Sequence, residues 1–251
     1  MAAVQSVRTA VITGGGRGFG KAFGAALAAR GCHAVLVDID GGAAESAAAA
    51  IRNQGGMASG LAGDVTDEAR MNEVMAQAAA IGGGVDILIN NAGLHSHEYG
   101  QPMLKMGLAK VKRLYEVNVI GVITCTMAAA PHMKGRDGAS IINISSSAAY
   151  MPGSAYGDTK LAVSSLTITF ARELAADGVR VNAIAPGLML TDTIAAELPP
   201  ETKARVRAMQ ILDADGKEDD IVEAMLFLTS PQAKFITGET LRVTGGMGAG
   251  V

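Results

Sequence analysis

Residues 9–20 read TAVITGGGRGFG, an apolar run that ends in a turn rich in glycine. A stretch of helical character follows to Arg30, and a second apolar run, HAVLVD, ends at Asp38. Strand, glycine turn, helix and strand in this order form a βαβ unit, whose turn brings backbone N–H groups to an anion at the helix N-terminus. Residues 9–38 therefore predict an α/β fold with a site for a phosphate group.

Short runs rich in valine and isoleucine alternate with alanine-rich stretches along the rest of the chain, which is typical of repeated βαβ units. Strands are expected at 9–13, 33–38, 58–61, 86–90, 140–145, 180–184 and 240–243. Helices are expected at 20–30, 68–80, 155–176 and 218–230. No change of composition marks a linker, so a single domain over residues 1–251 is expected.

The composition narrows the class of protein. A chain of 251 residues, 49% hydrophobic and with a net charge of -3, can bury a large core and has no basic stripe for nucleic acid. No apolar run is seen to reach the roughly 18 residues of a membrane span, and the N-terminus has no signal-peptide pattern. Cys32 and Cys125 form no CxxC pair, which argues against disulfides and zinc. A cytoplasmic protein is expected.

The glycine turn and Asp38 together indicate a dinucleotide. In TGGGRGFG, the residues expected at the cofactor are Gly14, Arg17, Gly18, Phe19 and Gly20. A carboxylate at Asp38 can accept hydrogen bonds from the adenosine ribose of NAD and repels the 2′-phosphate of NADP. Arg17 could instead bind that phosphate. NAD is the expected cofactor, with NADP as the alternative. It remains open whether Asp38 serves only as a cap for the turn that follows it.

Motifs further along the chain resemble the short-chain dehydrogenase/reductase family over essentially the whole length. They are Asp64 with Val65, NNAG at 90–93, Asn118, Tyr156 with Lys160 as YxxxK, Pro186 with Gly187, and the closing ITGETLRVTGG. The resemblance implies a single-domain Rossmann fold, a doubly wound parallel seven-stranded sheet in the order 3-2-1-4-5-6-7 with helices on both faces. It also implies a homotetramer assembled through the long helices that carry Asn118 and Tyr156.

The YxxxK pair suggests acid–base chemistry on an alcohol or a ketone. Tyr156 and Lys160 lie one helical turn apart on one face, and an ammonium beside a phenol favours the phenolate. A tyrosine, whose ordinary pKa is about 10, could then act as a base near neutral pH. The resemblance adds that Lys160 holds the nicotinamide ribose and that a serine polarises the substrate carbonyl. It further implies that Asn118 supports a water-linked proton path, although that amide could simply satisfy a buried backbone group.

Three consecutive serines precede Tyr156, and only one is expected to be catalytic. Many family members carry the serine thirteen residues before the tyrosine, but that position is Asn143 here. Aligning the end of the strand IINISS instead selects Ser146, ten residues before Tyr156. Ser145 should then face the other way, because side chains alternate along a strand. Ser147 is the fallback.

The remaining site residues follow from the resemblance. Expected cofactor contacts, besides those of the glycine turn, are Asp38, Asp64, Val65, Asn91, Ala92, Gly93, Tyr156, Lys160, Pro186, Gly187, Met189 and Thr191. Thr191 could also cap a helix. The expected substrate pocket comprises Leu94, His95, Ser147, Tyr150, Met151, Leu188, Leu190 and Ile194. Tyr150 has Ser154 rather than a lysine four residues on, so it is a pocket wall or a surface residue.

This pocket is apolar, and the sequence places no arginine or lysine in it for a carboxylate or a phosphate. Such a lining suits a bulky apolar alcohol or ketone, alicyclic or steroid-like, although the same residues could be ordinary core. No metal is expected, because His95 and His97 with Glu98 do not complete a metal site.

Three functions stay open. The first is an NAD-dependent dehydrogenase that interconverts a secondary alcohol and a ketone. The second is an NADPH-dependent carbonyl reductase of the ketoacyl type. The third is a non-catalytic NAD-binding sensor or scaffold.

Overall fold

A parallel sheet forms the centre of the molecule. The computed structural model describes residues 7–95, 99, 101–151, 153–190 and 200–248. Within these residues, seven strands hydrogen bond in the order β3-β2-β1-β4-β5-β6-β7, as the family resemblance implied. The strands are β1 Thr9–Thr13, β2 His33–Asp38, β3 Met57–Ala62, β4 Ile87–Asn90, β5 Ser140–Ile144, β6 Arg180–Pro186 and β7 Thr240–Val243. Strand β6 runs two residues further than expected, because Ala185 and Pro186 pair with β7.

Helices lie on both faces of the sheet. They are α1 Gly18–Ala29, α2 Gly41–Asn53, α3 Glu68–Gly82, α4 Met103–Met106, α5 Leu108–Tyr115, α6 Gly121–Met133, α7 Ala155–Glu173, α8 Pro200–Ala208 and α9 Glu218–Thr229. A π-helical turn, Glu116–Ile120, joins α5 to α6. Helix α7 ends three residues before the expected Ala176, because a 3₁₀ turn and the left-handed Gly178 lead the chain into β6.

Two apolar cores sandwich the sheet, because side chains alternate along each strand. On one face, Ile12 and Leu36 pack with residues of α1, α2 and α9. On the other, Val11 and Val35 pack with residues of α3, α6 and α7. The strands are therefore buried on both sides, which explains their almost continuous apolar sequence.

One helical stretch, Leu108–Met133, is long and apolar enough to pass the length and composition test for a membrane span, contrary to the expectation from the sequence. Of the most apolar 18 residues in this stretch, 56% are buried in the fold. Its C-terminal half belongs to α6, whose Cys125 and Ala129 lie in the second core. A core helix passes the same test, so packing against the sheet accounts for these apolar residues.

The carboxyl ends of β1, β4, β5 and β6 meet at one edge of the sheet, where parallel α/β folds bind their ligands. The glycine turn follows β1, the NNAG segment follows β4, the serines follow β5, and Pro186 with Gly187 closes β6. The topology therefore gathers four of the sequence motifs at one edge.

Candidate active site

The glycine turn after β1 adopts a backbone that its sequence explains. Gly14 and Gly18 have φ of 61° and 49°, a left-handed conformation that glycine adopts without strain. At Gly20, a Cβ atom would collide with the carbonyl oxygen of Gly14, so only glycine lets α1 approach the turn this closely. A Cβ at Gly18 would meet nothing within 4 Å, so the space beside this turn is open to a ligand.

The NNAG segment after β4 holds the glycine turn in place. The Thr13 hydroxyl accepts hydrogen bonds from the backbone N–H groups of Asn91 and Ala92, both at 3.1 Å. The Asn91 amide donates to the carbonyls of Thr13 at 2.9 Å and Gly14 at 3.1 Å. Asn91 therefore acts on the expected cofactor site by bracing the turn.

Asp38 ends β2 within reach of the same turn. One carboxylate oxygen accepts from the Gly16 N–H at 3.0 Å and the other from the Asp40 N–H at 3.1 Å. Asp38 therefore does cap the turn that follows it, as one of the two interpretations of the sequence had it. Each carboxylate oxygen has a second lone pair, so the group can still accept from a ribose hydroxyl.

The Arg17 side chain is 75% exposed and faces Asp40, with 3.6 Å between guanidinium and carboxylate. An exposed ion pair of this kind is weak, and the guanidinium is not held in place.

The open turn, its backbone donors and the Asp38 carboxylate fit the pyrophosphate and ribose of a dinucleotide.

Asp64 and Val65 follow β3 at the same edge. Although burial raises the pKa of Asp64, hydrogen bonds from Thr66 and the nearby Arg113 lower it below its ordinary value. Its side chain is engaged within the protein, at 2.8 Å from the Thr66 hydroxyl and 3.4 Å from Arg113. Val65 is buried against Gly121, where a Cβ would stand 2.7 Å from its methyl group.

Ser146 and Tyr156 form the polar pair of the site. Ser146 precedes a 3₁₀ turn, Ser147–Tyr150, and its hydroxyl accepts from the Ala148 N–H at 3.2 Å. The Ser146 side chain also lies close enough to Tyr156 to lower the pKa of its phenol. Tyr156 lies in the first turn of α7, whose N-terminus is capped by Ser154. Two hydroxyls are therefore positioned together, as proton exchange with a single substrate oxygen requires.

The other residues considered for the serine role lie elsewhere. The Ser145 hydroxyl donates to the Lys160 carbonyl at 2.8 Å, on the α7 side of β5. Ser147 is buried, at 9% exposure. Asn143 lies inside β5, where it accepts from the Asn90 amide at 2.9 Å and ties two neighbouring strands together.

The pKa values of Tyr156 and Lys160 both reflect burial. Burial raises the pKa of Tyr156, and the neighbouring Ser146 lowers it only in part. Burial likewise lowers the pKa of Lys160 to about 8. The lysine ammonium lies over the tyrosine ring, 5.8 Å from its centre, and donates to the Ile144 carbonyl at 2.8 Å. In the free protein, burial therefore dominates the pKa of Tyr156, and the lowering effect on it comes from Ser146 and not, as expected, from Lys160.

This burial makes stability depend on pH through Lys160. Its folded pKa of about 8 lies below the ordinary 10.5, so between these values the unfolded chain binds more protons and stability rises with pH. Replacing Lys160 with Met removes this dependence. We therefore compare the free energy of unfolding of the native protein with that of Lys160→Met. Between pH 7.5 and pH 10.5, the native protein should gain about 3 kcal/mol relative to the variant.

The measurement is urea unfolding of the cofactor-free proteins across this pH range. Lys110→Met is the matched control, because Lys110 is exposed on α5 and its replacement should leave the pH dependence unchanged. A native protein and Lys160→Met variant with parallel pH profiles would contradict the prediction.

Asn118 sits in the π-helical turn and is 1% exposed. Its amide oxygen accepts from the Leu94 N–H at 2.8 Å, and its nitrogen donates to the Leu94 carbonyl at 2.9 Å. The nitrogen also lies 3.2 Å from the Thr159 hydroxyl. The side chain therefore does satisfy buried backbone, and it fixes the segment after NNAG beside the helix that carries Tyr156 and Lys160.

Gly93 connects these two groups. A Cβ at Gly93 would lie 3.2 Å from the Asn118 amide oxygen and 3.5 Å from the Lys160 amine. Asn118, Gly93 and Lys160 are therefore immediate neighbours.

The expected substrate pocket is only partly described. Leu188 and Leu190 line a small cavity with residues of α8, whereas Met189 is buried and bridges to Gly216. Leu94 is half-buried, and His95, Tyr150 and Met151 are exposed. Thr191, Ile194, His97 and Glu98 lie outside the described residues. Among the described residues, no group of three or more His, Cys, Asp or Glu could hold a metal ion.

Three contacts at the site were missed by sequence reasoning. Thr13 was noted in the glycine motif but not as the brace of NNAG, and Thr159 lies inside YxxxK without an assigned role. Arg242 of β7 lies over the Tyr150 ring, 5.3 Å from its centre. The sequence does contain one sign of the role of Arg242, because it is a polar residue inside a strand that is otherwise apolar.

A sequence model described as Enoyl-(Acyl carrier protein) reductase matches residues 14–248, which is nearly the whole chain. The relatives include cis-4-hydroxycyclohexanecarboxylate dehydrogenase of Sinomonas cyclohexanicum, 36% identical over 95% of this chain and 96% of that protein. The chain belongs to the short-chain dehydrogenase/reductase family. It is therefore an enzyme of the kind that acts on CH–OH groups, and the family binds NAD or NADP.

Two further members of the short-chain dehydrogenase/reductase family are similar over most of their length. The 7alpha-hydroxysteroid dehydrogenase of Escherichia coli K12 is 34% identical over 95% of this chain and 93% of that protein. A solved oxidoreductase of Haemophilus influenza with bound NAD has a TM-score of 0.89 at 27% identity, covering 97% of this chain and 96% of that chain. Sequence and fold therefore agree on the family.

Proposed function

We propose that the protein is an NAD-dependent dehydrogenase that interconverts a secondary alcohol and a ketone on an apolar, alicyclic or steroid-like substrate. The observation that carries the proposal is the buried Lys160 amine over the ring of Tyr156, 5.8 Å from the ring centre, with Ser146 beside the same phenol. This cluster stands at the sheet edge that carries the glycine turn and Asp38.

Each residue of the cluster has a separate task. Ser146 holds the substrate oxygen by a hydrogen bond, and Tyr156 exchanges a proton with that oxygen. Lys160 holds the nicotinamide ribose, and the positive charge of its ammonium favours the phenolate when Tyr156 gives up its proton. Asn118 positions the segment after NNAG and is part of the proposed proton path behind Lys160. The bound dinucleotide supplies the hydride acceptor or donor.

The raised pKa of Tyr156 bears on the direction of reaction. Because burial raises this pKa, the phenol keeps its proton near neutral pH and can donate it to a ketone oxygen. Oxidation of an alcohol needs the phenolate as base, so oxidation should increase towards alkaline pH. Reduction should be favoured by the lower pH.

The choice of NAD rests on Asp38, whose carboxylate lies beside the glycine turn at 3.0 Å from the Gly16 N–H. A negative charge at the ribose disfavours the 2′-phosphate of NADP, and two unit charges about 4 Å apart interact by roughly 4 kcal/mol at an effective dielectric of about 20. Arg17 points instead at Asp40, with 3.6 Å between the charged groups.

Replacing Asp38 with Ser is expected to lower kcat/KM for NAD by roughly tenfold or more and to raise the NADP to NAD ratio, because a ribose acceptor and a repelling charge are both lost. Initial rates at varied NAD and NADP measure this. Asp40→Ser is the matched control, since Asp40 is exposed in the same turn. An unmodified protein that prefers NADPH would refute the assignment.

The substrate class is proposed from the apolar segments around the site and from the relatives. Leu94, Met151, Leu188 and Leu190 supply apolar surface. The charged residues that line the cavity beside Leu188 and Leu190, Lys203 and Arg207, form ion pairs with Asp215. Two relatives are named for a hydroxycyclohexanecarboxylate and for a hydroxysteroid, both alicyclic alcohols. An alicyclic secondary alcohol is therefore the first class to test.

Two other functions have specific support. A carbonyl reductase running on NADPH with an acyl substrate is favoured by the description of the matching family model, and by an Arg17 that is free to turn towards a 2′-phosphate. A non-catalytic NAD sensor would use the same glycine turn, but it would not need the Ser146–Tyr156 pair.

We also propose a cytoplasmic homotetramer. Helices α6 and α7 present exposed apolar side chains, among them Met127, Leu161 and Ile168, which suit contact with another copy. Phe235, fully exposed near β7, suits a second interface. The buried free thiols of Cys32 and Cys125 agree with a reducing compartment.

The experiment that tests the function is a panel of secondary alcohols and ketones with NAD, NADH, NADP and NADPH, followed by the absorbance of the reduced nicotinamide. Turnover of an alicyclic alcohol with NAD supports the proposal. Turnover of acyl thioesters with NADPH alone supports the reductase, and dinucleotide binding without turnover supports the sensor.

A further inference from the structure

Arg242 is a cation that the sequence did not place at the pocket. It lies in β7 opposite Ala185 of β6, one residue before Pro186 and Gly187 at the end of that strand. Its guanidinium lies over the ring of Tyr150, 5.3 Å from the ring centre. Tyr150 closes the 3₁₀ turn that starts after Ser146. One side chain therefore links the edge strand to the turn that holds the proposed substrate oxygen.

Among the described residues, the Arg242 guanidinium uses only part of its hydrogen-bonding capacity. One of its nitrogens donates to the Gly248 carbonyl at 2.8 Å. Among the described residues, no carboxylate forms an ion pair with Arg242. Arginine carries five N–H donors in a planar fork that matches a carboxylate, and within the described residues only one of these donors has an acceptor.

Arg242 also lines a cavity. The cavity is open to solvent, has a volume of about 390 Å³ and is bounded by Leu212, by the last two residues of β7 and by residues 244–247. Its lining does not include Ser146 or Tyr156. This volume is in the range of small-molecule sites. The segment touches the end of β6, because the Gly187 N–H donates to the Val243 carbonyl at 2.8 Å. The cavity therefore adjoins the proposed nicotinamide side of the site.

We infer that Arg242 is a specificity-determining residue that binds a carboxylate of the substrate, so that the preferred substrate is an alicyclic hydroxy acid. This inference rests on the proposed function and narrows its substrate class. The ring of Tyr150 orients the guanidinium by a cation–π contact, and the apolar body of the substrate spans from Arg242 to Ser146 and Tyr156. The carboxylate is fixed, and the hydroxyl at the far end of the ring is presented for oxidation.

The test compares an acid with its neutral counterpart. cis-4-Hydroxycyclohexanecarboxylate and its methyl ester are oxidised by native protein and by Arg242→Met, with NAD. We expect Arg242→Met to lower kcat/KM for the acid by about tenfold to a hundredfold, mainly through KM, and to change that for the ester by less than about threefold. Arg242→Lys, which keeps the charge, should restore part of the activity on the acid.

Two controls separate binding from folding. Arg30→Met is the matched variant, because Arg30 is exposed at the end of α1, outside the proposed site. It should leave both substrates unaffected. Arg242→Gln keeps a donor for the Gly248 carbonyl, and it replaces Arg242→Met if the latter does not fold.

A second measurement does not depend on turnover. Binding of cyclohexanecarboxylate, which has no hydroxyl, is measured by calorimetry in the presence of NAD. Saturable binding to the native protein that is lost in Arg242→Met supports the inference even if no alcohol is oxidised, and the proposed function then fails by itself. No binding to the native protein, or equal losses on acid and ester, would overturn the role of Arg242.

Discussion

Replacing Tyr156 with Phe is expected to lower kcat by about two to four orders of magnitude, because the group that exchanges a proton with the substrate oxygen is lost. The ring and its contact with the Lys160 amine, 5.8 Å from the ring centre, are kept. The fold and the dinucleotide site should therefore be intact. Initial rates of alcohol oxidation, together with calorimetric binding of NADH, measure the two effects separately.

Tyr115→Phe is the matched control for this variant. Tyr115 ends α5 and is 36% exposed, and it has no place in the proposed site. Removing the hydroxyl of Tyr115 should change kcat little. A Tyr156→Phe protein with native kcat would remove the proposed mechanism, whereas one that no longer binds NADH would show damage to the fold.

Replacing Asp86 with Ala is expected to destabilise the protein by about 3–5 kcal/mol, because it leaves a partly buried cation and a backbone donor without their acceptor. Asp86 is 3% exposed and precedes β4. Its carboxylate accepts from Arg136 at 2.9 and 3.0 Å and from the Thr9 N–H at 2.7 Å. The group thus ties the start of β1 to the segment after α6. Denaturant unfolding at a fixed protein concentration measures the loss.

The comparison variant is Asp177→Ala. Asp177 pairs with Lys134 at 2.9 Å, but the lysine side chain is 72% exposed, and an ion pair in water adds little. Similar losses for the two variants would show that burial of Asp86 is not the cause. A small loss for Asp86→Ala would mean that Arg136 finds water or another acceptor.

Local rules were enough for most of the fold. The strands were found because apolar runs covered on both faces have a distinct composition, and the glycine turn was found because only glycine tolerates its φ and its close approach to α1. The pairing of Tyr156 with Lys160 follows from helical spacing. These features depend on residues close in the chain, so a single sequence contains them.

The catalytic serine could not be assigned from spacing along the sequence alone. Spacing from Tyr156 indicates Asn143, and only the strand-end pattern indicates Ser146. The structure places Ser146 close enough to Tyr156 to lower the pKa of that phenol, and it puts Asn143 inside the sheet, hydrogen bonded to Asn90. The loop between serine and tyrosine has a length that no local rule specifies.

What the sequence by itself determined is the order of strands and helices, the glycine turn, Asp38 at the end of β2, and the family. What only the tertiary structure decided is which side chains meet from distant parts of the chain: Thr13 with Asn91, Asn118 with Leu94, and Arg242 with Tyr150. It also decided the pKa values of Tyr156 and Lys160. The physical reason is that contact and desolvation depend on packing between elements, and neither is a property of spacing along the chain.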